Sequence, residues 1–274
     1  MNKGFSLGKV GFSITALAAA LALSMPAQAI PVKVTVTSLA PVNGVEFTPV
    51  WVGFHDGGFD TFDTGGQASV ALERLAEDGN PGPISVAFST AGYTHQGVIF
   101  SPGGALPPIF EAGETNVIFF DLDGNDINNR YFSLLSMIVP SNDAFFGNPN
   151  PVGHRIFNDD GTFKGDTITV TGKGVRDAGT EVNDEMASTT ARFAQMLADT
   201  GTVENGAIGA HPGFIPGGRI LSNFVNADFT QTGYQIARIK IEAVPEPATV
   251  ALMMGGLGML GFSARKRRTN ALPA

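Results

Sequence analysis

Val32-Lys-Val-Thr-Val-Thr37 sets an apolar against a polar side chain at every step. A period of two is that of a strand with one face buried and the other in water. Five further runs are rich in β-branched and aromatic residues: Val50-Trp-Val-Gly-Phe54, 115–122, 131–139, 166–171 and 234–241. Clusters of Gly, Pro, Asn and Asp, the residues that turns require, separate them. The pattern predicts an all-β fold. Residues 69–78 are a helix candidate, with Gly79 placed to end it and Pro81 beyond, and 185–197 are a second. These segments do not alternate with the strands, so one or two short helices decorating an antiparallel β-sandwich fit better than βαβ units. The Gly/Pro-rich passages 91–112 and 201–218 read as long surface loops, either functional or passive connections.

The segments outside this domain carry processing signals. Residues 1–29 open with Lys3 and Lys9, continue as an apolar run from Val10 and reach the small-residue triplet Ala27-Gln28-Ala29. That is the order of a signal peptide, cleaved after Ala29, and the run is too short to serve comfortably as an anchor. At the other end, Pro245-Glu246-Pro247 precedes an apolar run from Ala248 to Ala264 and the basic cluster Arg265, Lys266, Arg267 and Arg268. Such a run rises about 25 Å as a helix, marginal but adequate for a transmembrane helix in a bacterial inner membrane. The basic end would stay cytoplasmic, leaving the domain at 30–243 outside. Residues 269–274 form a short tail. The order of tripeptide, hydrophobic helix and basic end resembles the PEP-CTERM sorting signal over 244–268. The resemblance implies transient inner-membrane anchoring and then cleavage by an exosortase, a membrane peptidase that passes the domain to the cell surface or extracellular matrix. Hydropathy alone also fits a plain single-pass anchor.

The chain has no cysteine, so burial, backbone pairing or bound ions must stabilise it outside the cytoplasm. From Ile30 to Glu246 there are 11 Lys and Arg against 25 Asp and Glu, a balance of −14. Such a surface repels phosphate polyanions, which argues against nucleic acid as a partner, and it favours divalent cations.

Two short stretches gather carboxylates at strand ends. Val139-Pro-Ser-Asn-Asp143 follows an apolar run, which sets Asp143 in a loop at the rim of a sheet. Asp177-Ala-Gly-Thr-Glu181 follows another, and Gly179 permits a tight turn that could aim both acids at one point. Calcium takes oxygen ligands from such loops. On spacing alone a solvated turn is the simpler reading, since Asp and Gly are ordinary turn residues.

A second resemblance bears on these stretches. Phe132-Ser-Leu-Leu-Ser-Met-Ile-Val-Pro-Ser-Asn-Asp143, Phe146-Gly147 and Asp177-Ala-Gly-Thr-Glu181-Val-Asn are similar to the spondin domain, over most of 30–243. The resemblance implies an antiparallel sandwich akin to calcium-and-phospholipid-binding sandwiches, found in matrix and adhesion proteins. It also implies calcium as the cofactor, held by Asp143, Asp177 and Glu181. Two positions depart from the family pattern. Ala144 stands where an aromatic is common, and Glu181 where an aspartate is usual, moving its oxygens outward by one methylene.

Other chemistry finds little purchase. Asp121-Leu-Asp-Gly-Asn-Asp126 has the look of a calcium loop, yet its twelfth position is Phe132 and not the glutamate an EF-hand requires, so it reads as a hairpin turn. His55, His95, His154 and His211 share no zinc-site spacing, and neither a G-x-S-x-G elbow nor a phosphate-binding loop occurs. The leading expectation is therefore a non-enzymatic surface or matrix protein, with calcium-stabilised loops mediating adhesion or association with an exopolysaccharide layer or biofilm. Its partners would be extracellular polysaccharide or surface proteins. A carboxylate-based glycan-active enzyme and a purely structural matrix component are the alternatives.

The mature protein is expected to begin at Ile30 and to lack 265–268. Intact-mass measurement of protein from the cell exterior checks this, and recovery of a chain still ending in that basic cluster overturns the sorting reading.

Overall fold

The alternation that opens the domain becomes its first strand, β1 (Ile30–Ser38), with Val32, Val34 and Val36 fully buried and Lys33, Thr35 and Thr37 turned outward. The computed structural model describes residues 29–103 and 108–245. Ala27, Glu246, Pro247, the apolar run and the basic cluster lie outside those residues, while Ala29 and Pro245 are inside them and exposed. Among the described residues no helix is long and apolar enough to cross a membrane.

In chain order the strands that follow are β2 (Glu46–Phe47), β3 (Val50–His55), β4 (Gln96–Ile99), β5 (Thr115–Leu122), β6 (Tyr131–Val139) and β7 (Ala144–Gly147). Then come β8 (Asp166–Thr171), β9 (Arg176–Asp177), β10 (Gly209–Ala210) and β11 (Gln235–Ala243). They build two antiparallel sheets, one ordered β5-β1-β11-β8 and the other β10-β9-β7-β6-β3-β4, with β2 paired to β6. The first and last strands of the domain are neighbours, in register from Val32 against Ala243 to Ser38 against Ala237. A bulge at Gln235/Ala237 turns both Ile236 and Ala237 inward.

The inner faces of the two sheets enclose one core, in which Val34, Val36 and Ile239 pack with Val52, Phe54, Phe132 and Phe146. A second core lies on the other side of the larger sheet, beneath helices α1 (Val70–Asp78) and α2 (Gly82–Thr90). There Leu72, Leu75 and Phe88 cover Trp51, Leu135 and Phe145. β6 is thus buried on both faces, which is why its sequence runs apolar without alternating. Helix α1 begins where Ser69 Oγ accepts the Leu72 N–H at 3.2 Å. It ends at Gly79, whose φ of 64° lets its N–H and that of Asn80 return to the carbonyls of Leu75 and Arg74.

Four local expectations change. The helix expected over 185–197 does not form, because Glu185 and Arg192 adopt φ of 52° and 77° and the segment folds as irregular turns. Helix α2 was hidden by Pro81-Gly82-Pro83, which reads as a loop, although proline is tolerated in a first helical turn. The passage 91–112 contains β4, and 201–218 contains β10 and is otherwise irregular up to Gly218. Finally, the turn at Asp123 does not close a hairpin: β5 and β6 belong to different sheets, so the turn carries the chain from one to the other.

Gly53 in β3 lies directly beneath Phe88, whose ring would be 2.8 Å from an added Cβ. Gly53→Ala should overpack this contact and cost about 1–3 kcal/mol in denaturant unfolding. An unchanged midpoint would show that α2 is not seated on the sheet as described.

Candidate metal centre

Asp143 closes the turn between β6 and β7. Ser141 shapes that turn, its hydroxyl donating to the Ile138 carbonyl at 2.6 Å and accepting the Ala144 N–H at 3.1 Å. The aspartate is fully buried, not set on an open rim. Its Oδ2 accepts the N–H groups of Thr180 (2.8 Å) and Glu181 (3.2 Å) and the Thr180 hydroxyl (3.2 Å). Its Oδ1 is equally buried and has no hydrogen-bond partner. One oxygen is therefore fixed and the other stands free, which is costly for a buried carboxylate unless a cation meets it.

Asp177 reaches the same place from β9, which lies between β7 and β10 and sets Asp177 opposite both Ala144 and Gly209. Its Oδ1 accepts the Gly179 N–H at 2.8 Å and its Oδ2 accepts Asn183 Nδ2 at 2.6 Å. Gly179 needs to be glycine twice over, since its φ is 69° and a Cβ there would stand 2.7 Å from the Gly206 backbone. That close approach brings in the irregular segment carrying Glu204, whose N–H donates to the Thr180 carbonyl at 2.9 Å. Carboxylate oxygens of Asp143, Asp177 and Glu204 all lie within 4.8 Å of one another.

Of the three acids expected from the sequence, Asp143 and Asp177 are thus brought together, and Glu204 is the third of the converging set. Glu181 meets Asp143 through its main-chain N–H. Its carboxylate lines a neighbouring cavity of about 240 Å³, against Gly201, where a Cβ would collide with it. Its Oε2 is buried without a partner. Glu204 lies in a glycine-rich passage with no local pattern to mark it as a ligand. Asn183 and His211 were also not singled out for the site. His211 Nδ1 accepts the Gly213 N–H at 3.1 Å, which leaves Nε2 to donate to Asn183 Oδ1 at 3.2 Å. The Asn183 amide is thereby oriented with its NH₂ towards Asp177, a support of the kind that aims metal ligands. Burial lowers the His211 pKa against the pull of Asp177 and favours this neutral form.

Three converging carboxylates, one with an orphaned buried oxygen, suit a hard cation such as calcium, which completes its shell with carbonyl oxygens and water. A second acidic group, Glu73, Glu77 and Asp199, has a different explanation. All three accept from Arg74 Nη2, at 2.8, 2.8 and 2.9 Å, so the cation at their centre is the guanidinium.

Residues 243–268 match the family model of the PEP-CTERM protein-sorting motif. No curated protein matches the chain. The motif marks an exported, surface-sorted protein and implies processing by exosortase. It begins at Ala243, the last residue of β11, so the signal starts where the sheet ends.

Burial, with the charge of Asp177, raises the Asp143 pKa to about 6. Burial, with the charges of Glu77 and Asp143, raises Glu181 to about 8, and burial raises Glu77 to about 7 despite Arg74. The folded state thus keeps protons that an unfolded chain has released above about pH 4. Stability from these groups is present at low pH and lost as pH climbs through 6 to 8. In a chelator, the melting temperature should fall from pH 5 to pH 8, and less so for Glu181→Gln; a flat wild-type profile overturns this electrostatic account.

Proposed function

We propose that this is a non-enzymatic surface or matrix protein whose spondin-like sandwich binds calcium and serves in adhesion. The calcium reading is carried by a buried Asp143 carboxylate that has one oxygen, Oδ1, without a partner and that converges with Asp177 and Glu204. A cation there would tie three segments together: the β6–β7 turn, the 177–181 segment and the irregular segment at Glu204. The surface location follows from the sorting motif. A rigid loop cluster at one end of a sandwich is a suitable platform for contact with another molecule.

The competing reading, a carboxylate hydrolase acting on glycans, has one observation in its favour. Glu181, with its raised pKa, lines an open cavity together with Glu73 and Glu77. Turnover on a glycosidase panel that Glu181→Gln abolishes without loss of folding would establish it.

Calcium should raise the melting temperature. With an affinity typical of extracellular modules, about 10⁻⁴ to 10⁻³ M, a concentration ten times the dissociation constant adds about 1.4 kcal/mol. Asp177→Asn and Glu204→Gln should each remove most of that gain in calorimetry, whereas Asp123→Asn should retain it. A full shift in Asp177→Asn would place the ion elsewhere.

A further inference from the structure

We propose that the outer face of the β5-β1-β11-β8 sheet binds an extended acidic polysaccharide laid along its strands. This deepens the matrix reading above, and it is independent of the calcium centre.

The face is formed by the outward half of each alternating strand, and its register distributes charge in rows. The row crossing Thr37 carries Arg238, the row crossing Thr35 carries Lys240, and the next carries Lys33 opposite Glu242. Residues two apart on a strand are separated by about 7 Å, so one cation recurs at each step along β1 and β11. Glu242 accepts both lysines, Lys33 at 2.6 Å and Lys240 at 2.5 Å, and Asp121 ends the face beside Pro31. Arg238 is exposed and has no carboxylate partner among the described residues. By contrast, Arg74, Arg130, Arg155 and Arg192 are each held by carboxylates. With 24 acids against 11 bases over 30–243, the domain thus keeps three of its cations on one face.

The remaining positions suit a polymer of sugars. Threonine hydroxyls lie among them on β1, β5 and β8, Thr115 donating to Thr37 at 3.0 Å, with Val117 between Thr115 and Phe119 on β5. Phe119, 60% exposed, stands beside Lys33 with its ring available to the apolar face of a sugar. Carboxylates along an extended glycan would displace Glu242 from the lysines and meet Arg238 directly.

The test measures binding of the exported protein to polygalacturonate, in a chelator, with dextran as the neutral control. Polygalacturonate should bind, more weakly as salt is raised, and dextran should not. The triple variant Lys33→Gln, Arg238→Gln, Lys240→Gln should lose at least about tenfold in affinity while its melting temperature is kept. Asp177→Asn should bind as wild type does, so failure of the calcium reading leaves this one standing. No binding, equal binding by the triple variant, binding only when calcium is supplied, or binding to anionic lipid vesicles in place of the polyuronate would each overturn the proposal.

Discussion

The antiparallel pairing of β1 with β11 is the constraint on which the rest of the molecule depends. Seven consecutive residue pairs join the first strand of the domain to its last, across some two hundred residues of intervening chain. Without it the smaller sheet would split into two two-stranded ribbons, β5-β1 and β11-β8, with no continuous face to lay over the larger sheet. Closing so long a loop is entropically costly, and the return comes only once both sheets face each other over the shared core. With no disulfide to hold the fold, burial and backbone pairing must secure that closure.

The acidic centre sits at the opposite energetic extreme, because it is assembled by polar groups that oppose their own burial. Three donors on Thr180 and Glu181 fix one oxygen of Asp143, and the second oxygen gains nothing from the protein. The same peptide segment that satisfies Asp143 also accepts the Glu204 N–H, so a single loop both restrains the carboxylate and brings a further charge to it. Burial first, and then the charge of Asp177, raise the proton affinities of Asp143 and Glu204. Arg74 relieves a comparable repulsion nearby with a covalently attached cation, and this contrast separates the two acidic groups although both look alike in composition.

What the sequence disclosed followed from local periodicity. β1 alternates because one of its faces meets water, and β6 does not because it is covered on both sides, so both strands could be located to within a residue or two. Asp143 and Asp177 were legible through their motifs at strand ends. Glu204 was not, since its place depends on a main-chain bond to Thr180 and on two glycines meeting across 27 residues of chain. Glu181 shows the limit of reading a residue from its place in the sequence: its peptide N–H meets Asp143, while its carboxylate lines the neighbouring cavity. The segment 185–197 shows the complementary limit, because tertiary bonds from the Glu185 carboxylate to the Ile215 and Ile220 N–H groups accompany a backbone that local propensity would not choose.

The sorting motif starts at the final residue of β11, and β11 is an interior strand, paired to β1 on one side and β8 on the other. Any load applied through the carboxyl end therefore acts along the axis of a strand gripped by two ladders at once. The hydrogen bonds on both sides oppose that pull in shear and rupture together, whereas an edge strand peeled sideways would release them singly. Attachment through the carboxyl end would thus load a strand held on both sides.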